Sequence, residues 1–244
     1  MGKCKNMPSV TRIICLANSW KRGERCIAGI TTIKGQWIRP VSDLPVGQVT
    51  KEIRQIGGTE PALLDILQIP LAKTGPDYGF ESENLSILPG KWERVGQFPA
   101  TYLLKYCSNE EYILHNDLKY VEVPFLQSLP FPQRRTLQLV KVVEFYVRPL
   151  KAVYEGSQKW EGTIVTENHQ RLTTSITDPV FVRKLDLGYR PKNHCLVTVS
   201  LSMPWRPENW EGSDPCWKLI AGVIELPESE NQKIEVNNDD EIPF

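Results

Sequence analysis

Residues 20–25 read WKRGER, and residues 33–42 read IKGQWIRPVS. The first stretch sets Trp20 beside Lys21, Arg22 and Arg25. The second sets Lys34 ahead of Trp37 and Arg39, which alternate along one face of a strand. Cations interleaved with aromatics have a defined chemistry: phosphates are met by Lys and Arg, and unpaired bases stack on rings. A competing reading of WIRP is a core Trp next to a structural Arg that neutralises a buried carboxylate. WKRGER connects two strands, and such loops are where β-barrels meet ligands.

The second half repeats these residue types more thinly. Lys159 and Trp160 open a strand, Arg171 follows a turn, and Arg134, Arg135, Arg148 and Lys151 flank another strand. The loop MPWRPENWEGSDPCW carries Trp205, Arg206, Trp210 and Trp217. It suits either base stacking or a cover folded over a barrel end. Groups for catalysis are sparse. His115, His169 and His194 are scattered without metal-ligand spacing, and no H-E-x-x-H, Walker or G-x-S-x-G pattern occurs. Glu167 and His169 share a polar turn, where a surface role is the plainer reading. Asp178 precedes a proline, which marks a cap rather than a catalytic acid. The expectation is a non-enzymatic protein with no catalytic residue, no metal and no cofactor.

The elements that must position these residues are mostly strands. TRIICLA, RCIAGITTI, QWIRPVS, LLDILQIPL, TLQLVKVVEFYV, EGTIVT, HCLVTVSLSM and WKLIAGVIEL are short, apolar and rich in β-branched residues. Nineteen prolines and sixteen glycines separate them, which argues for barrels or sandwiches. ENHQR makes the strands on either side of it a hairpin. ATYLLKYCSNEEYILHND reads as the main helix. DPVFVRKLDLG reads as a shorter one, with Asp178 as N-cap, Pro179 in first position and Gly188 as stop. A proline-rich stretch, PFLQSLPFPQRR, divides the strands into two groups. The expected domains are residues 1–128 and 129–226, with 227–244 as a disordered acidic tail.

Composition limits the rest. The chain has 244 residues, 41% hydrophobic and 24% charged, with a mean hydropathy of −0.32. No apolar run approaches the ~18–20 residues of a spanning helix, and no signal-peptide core is present. The expected location is cytoplasmic, with no membrane partner. The six cysteines lack C-x-x-C spacing and read as free thiols. Formal net charge is zero, yet residues 227–244 hold six acids and one base. The body is therefore five charges positive and the tail five negative, a pattern that suits a nucleic-acid binder with an interaction tail.

Five segments in order, IICLANSWKRGERCIAGI, GQWIRPVS, LLDILQIPL, SITDPVF and WKLIAGVIEL, resemble the dual OB-containing domain family over roughly residues 10–226. The resemblance implies a mainly β fold of two tandem OB-type barrels with few short helices. It also implies binding of single-stranded nucleic acid, DNA first and RNA as an alternative. The last residues, DDEIPF, resemble the C-terminal tip of bacterial single-stranded DNA-binding protein. Asp239 and Asp240 match its acids, Glu241 keeps the charge, and Ile242, Pro243 and Phe244 match outright. That implies recruitment of the genome-maintenance enzymes that bind the tip. The Phe244 ring and α-carboxylate would be captured by a pocket with a cationic rim. The acids would steer the peptide to a basic patch. The alternative is an adaptor from a phage or defence system, which mimics the tip to capture host repair enzymes without itself binding DNA.

Overall fold

A computed structural model describes residues 10–150 and 159–227. The expected mainly β architecture of two barrels is what the chain forms. In the first half, β1 (Val10–Lys21) and β2 (Glu24–Thr31) form a hairpin, followed by β3 (Trp37–Val41). The short helix α1 (Lys51–Arg54) precedes β4 (Asp65–Pro70), β5 (Asn84–Ser86) and β6 (Glu93–Gln97). The sheet order is β5-β3-β2-β1-β4-β6. β3 and β5 pair in parallel, and the bridge Leu71–Ile87 closes the ring beyond β4.

The second half begins with β7 (Tyr120–Glu122) and α2 (Val123–Ser128). It continues through β8 (Leu137–Leu150), β9 (Lys159–Thr166), β10 (Arg171–Ser175), α3 (Pro179–Asp186), β11 (Cys195–Leu201) and β12 (Pro215–Glu225). Its order is β10-β9-β8-β11-β12-β7, with a parallel bridge between Ile176 and Ile220. Both sheets thus share one connectivity. The first long strand pairs with the second and fourth, the third meets the fifth in parallel, and a helix lies between third and fourth. That is the five-stranded OB plan.

Sheet membership changes ahead of residue 129. β7 pairs with β12, and Val121 and Leu126 pack in the second core with Val197 and Ile220. The proline-rich stretch marks where β8 begins rather than where the second sheet begins.

β1 explains how the barrels join. Ile14 to Ser19 are buried without a break. Ile13 and Cys15 enter the first barrel's core, while Ile14 and Leu16 face a separate layer with Leu139, Leu196, Ile224 and Leu226 of the second. β11 is buried along its whole length for the same reason. Strands covered on both faces lose the alternation of a half-exposed sheet. At the centre of the layer the Thr198 hydroxyl donates to the Leu16 carbonyl at 2.7 Å. Gly222 lies against the same carbonyl, with no room for a Cβ.

α3 forms as expected. The Asp178 carboxylate accepts from the amides of Val180 and Phe181, Pro179 occupies the first turn, and Gly188 ends it at φ +84°. Asp178 also accepts from the Val223 amide, so one side chain caps the helix and ties it to β12. The expected helix over residues 100–117 is corrected. It breaks into two 3-10 stretches, Ala100–Tyr106 and Ile113–His115. Leu103 enters the inter-barrel layer, whereas Ile113 and Leu114 enter the second core. No single helix face can serve both. The five described cysteines are free.

Candidate nucleic-acid interface

The β1–β2 hairpin turns through Arg22 (φ +48°) and Gly23 (φ +81°). Two consecutive left-handed residues suit the twist of a tight hairpin, and Gly23 takes that geometry without strain. The turn leaves Arg22 exposed and Lys21 half-buried at the tip. Trp20 is 45% exposed. Its amide donates to the Thr177 carbonyl at 2.9 Å, which anchors the hairpin to the second barrel. The Arg25 guanidinium lies 5.8 Å from the Trp20 ring centroid.

Arg54, on α1, was not legible as part of this group. It is buried and donates to Glu24, Glu60 and the Val49 carbonyl. Arg25 also pairs with Glu60, at 3.2 Å. Burial opposes ionisation of Glu60, but Arg54 and Arg25 outweigh it and hold the carboxyl below its ordinary range. Four cations against two carboxylates leave the hairpin end positive, with Trp20 as its exposed ring.

Lys34 and Trp37 lie at the other end of β2. The eight-residue strand separates them from the hairpin by roughly 23 Å. Lys34 is exposed in the β2–β3 turn. Trp37 is half-buried, packing against Ala17 and Leu137 on one side and lining a surface cleft on the other.

Arg39 is corrected as a strand contact. It is 1% exposed. Its guanidinium pairs with Glu81 at 2.7 Å and bonds Asn84 Oδ1 at 3.2 Å and Thr136 Oγ1 at 2.9 Å. Thr136 in turn donates its amide and hydroxyl to Glu83. This is the structural alternative, an Arg matched to buried carboxylates. It fastens the 72–83 loop of the first barrel to the residue that leads into β8.

In the second barrel Lys159 is exposed. Trp160 turns inward: its indole donates to Asp186 at 2.7 Å and packs on the second core. It is half-buried, so its ring is less open than that of Trp20. Arg171 is exposed but opens β10 beside Val165. It lies roughly 20 Å along the hairpin from Lys159. The ENHQR turn carries Glu167 in a 2.6 Å pair with Lys141, a surface arrangement.

The Trp-rich loop joins β11 to β12. Trp210 and Trp217 interlock with Tyr120 at centroid distances of 4.9–5.5 Å, while Trp205 stays 63% exposed. The loop is thus both a cover and a platform. Among the described residues no His, Cys, Asp or Glu group forms a metal site. No described helix is long and apolar enough to cross a membrane. The tip residues Asp239, Asp240, Glu241, Ile242, Pro243 and Phe244, like most of the expected tail, lie outside the described residues.

Near Arg171, Lys218 is 1% exposed. Its ammonium donates to Asn116 O at 2.6 Å and Oδ1 at 3.0 Å. Burial pulls its pKa from 10.5 to about 8, with the charge of Asp117 opposing. The unfolded chain therefore keeps this proton between pH 8 and 10.5 while the folded chain releases it, so stability at this site rises with pH across that window and is lost as pH falls through 8. Comparing wild type with Lys218→Met by thermal melting, the wild type should gain roughly 3 kcal/mol relative to the variant on going from pH 8 to 10.5. A pH-independent difference would contradict this.

Two closed barrels with OB connectivity, joined through a shared apolar layer, define a tandem OB protein. Residues 11–223 match the dual OB-containing domain family, and the chain belongs to that family. No curated protein matches it.

Proposed function

We propose that the body is a single-stranded nucleic-acid-binding module, with DNA as its first ligand. Its tail would recruit genome-maintenance enzymes. The observation that carries the reading is the β1–β2 hairpin. OB barrels commonly take oligonucleotides on the face of strands 2 and 3 and its flanking loops. That loop here presents Trp20 with Lys21 and Arg22, which suits stacking plus phosphate neutralisation. Fluorescence anisotropy with labelled oligonucleotides across a salt series tests it. The double variant Lys21→Ala/Arg22→Ala should weaken binding. It should also flatten the plot of log affinity against log salt by about 0.7 per cation removed. An absence of strand binding by the wild type at low salt would sink the reading.

The adaptor reading is favoured by a different observation. Many surface cations are matched by acids: Arg135 with Glu110, Arg148 with Glu161, Arg206 with Asp214. Cations paired in this way have less charge to offer a strand. On this reading the DDEIPF motif captures enzymes that bind the tip of single-stranded DNA-binding protein, and the body need not hold DNA. A pull-down with those enzymes that disappears on deleting Phe244, yet survives Lys21→Ala/Arg22→Ala, would select it.

A further inference from the structure

A cleft of about 400 Å³ opens between the β2–β3 turn and the segment leading into β8. Trp37 and Gln36 line one side, Phe131 and Arg135 the other, and Ser82 and Glu83 also contribute. The volume falls within the roughly 300–1,000 Å³ of small-molecule sites.

Phe131 is 48% exposed, and its place is fixed by Arg134. That guanidinium lies 5.9 Å from the ring centroid. Its nitrogens donate to the carbonyls of Leu129 at 3.0 Å, Gln127 at 2.9 Å and Gly79 at 3.3 Å. A ring held this way loses little freedom when something stacks on it. Across the cleft Trp37 is held by packing of its other face.

Glu83 supplies polarity. It is 7% exposed. Arg39 is shared by two buried carboxylates and makes its direct ion pair with Glu81. Glu83 is left with the amide and hydroxyl of Thr136. Burial pushes its pKa up, with Arg39 opposing. A carboxylate so placed gains from further N–H donors. Arg135 lines the opening with its guanidinium already paired to Glu110.

We propose that this cleft is a nucleobase pocket that prefers guanine, with the base against Phe131 and Trp37 and its Watson–Crick edge toward Glu83. Guanine alone among the common bases presents two adjacent donors on that edge, N1–H and the N2 amino group. Thymine and uracil would turn carbonyl oxygens toward the carboxylate. The proposal rests on the strand-binding reading and gives it a base preference.

The test uses the full chain, an oligothymidine, and the same oligomer with one thymidine replaced by deoxyguanosine or by deoxyinosine, which lacks the 2-amino group. Anisotropy should show the guanine oligomer binding about fivefold tighter or more than oligothymidine, with inosine between them. Phe131→Ala, at an exposed site, should weaken the guanine oligomer by about 5-fold or more, and Phe131→Tyr should restore it. Glu83→Gln should erase the preference. Equal affinity for all three oligomers, or an unchanged Phe131→Ala, would overturn the pocket even where strands bind. Guanosine monophosphate, titrated by calorimetry, separates the two readings. Heat that vanishes in Phe131→Ala supports the pocket even where no strand binds.

Discussion

Replacing Arg39 with methionine should lower the unfolding free energy by about 3–5 kcal/mol, because it leaves uncompensated charge in the interior. The guanidinium is 1% exposed and faces Glu81 and Glu83, which are themselves 1% and 7% exposed. Methionine fills a similar volume, so the loss reports charge rather than a cavity. Urea denaturation followed by tryptophan fluorescence should show the midpoint fall with the slope unchanged. The effect has a pH signature. Burial already pushes the Glu83 carboxyl up with Arg39 opposing, so losing Arg39 raises it further. A folded state with raised carboxyl pKa values is most stable where they are protonated and loses that stability as pH rises. The variant should therefore lie nearer wild type at pH 5 than at pH 8. Adding Glu81→Gln should recover part of the loss, since the two changes share one network. A variant as stable as wild type at pH 8 would show that the Arg39 network does not hold the barrels.

Gly222→Ala should be the most damaging single methyl in the chain's second half. The new Cβ would fall inside contact distance of the Leu16 carbonyl oxygen, 3.3 Å from its carbon and 3.5 Å from Ala17 Cα. These are backbone atoms of β1, and they cannot rotate away. The same carbonyl accepts from Thr198, so moving β1 would also strain that bond. Overpacking a tight core costs about 1–3 kcal/mol, and a clash against backbone, which cannot move aside as a side chain does, belongs at the top of that range. For a chain of this size that is a melting-temperature drop of roughly 6–12 °C. Differential scanning calorimetry measures it, and Gly188→Ala serves as a contrast: nothing lies within 4 Å of its Cβ, so only its φ of +84° is strained. An unchanged melting temperature for Gly222→Ala would mean that the barrels separate easily.

Much of the fold can be read along the chain, and what cannot has identifiable causes. All eight apolar runs form strands, and α3 carries its cap, proline and glycine where expected. β5 and β7 were missed because each has three residues and exists only by pairing with a distant strand. β6 was missed because none of its residues is buried. The helix over 100–117 failed because its apolar residues serve two cores. At the candidate site, the WKRGER hairpin was legible because turn chemistry and charge are local. Arg39 was misjudged because its partner, Glu81, lies 42 residues away, and the Trp160 bond to Asp186, 26 residues on, was equally out of local view. Phe131 was hidden in a segment read as a boundary, and Arg134 was read only as a cation flanking a strand. Their role depends on Gly79 and Trp37, which reach them through tertiary structure alone.

The double-sided burial of β1 also sets a condition on biosynthesis. Leu16 and the Thr198 that bonds it are 182 residues apart. At about 5–20 residues per second, Ile14 and Leu16 leave the ribosome roughly 10–40 s before β11 can cover them. A nascent first barrel therefore shows a greasy seam to the cell for that interval. Slowed translation or truncation within the second barrel should turn this seam into a chaperone-binding or aggregating surface.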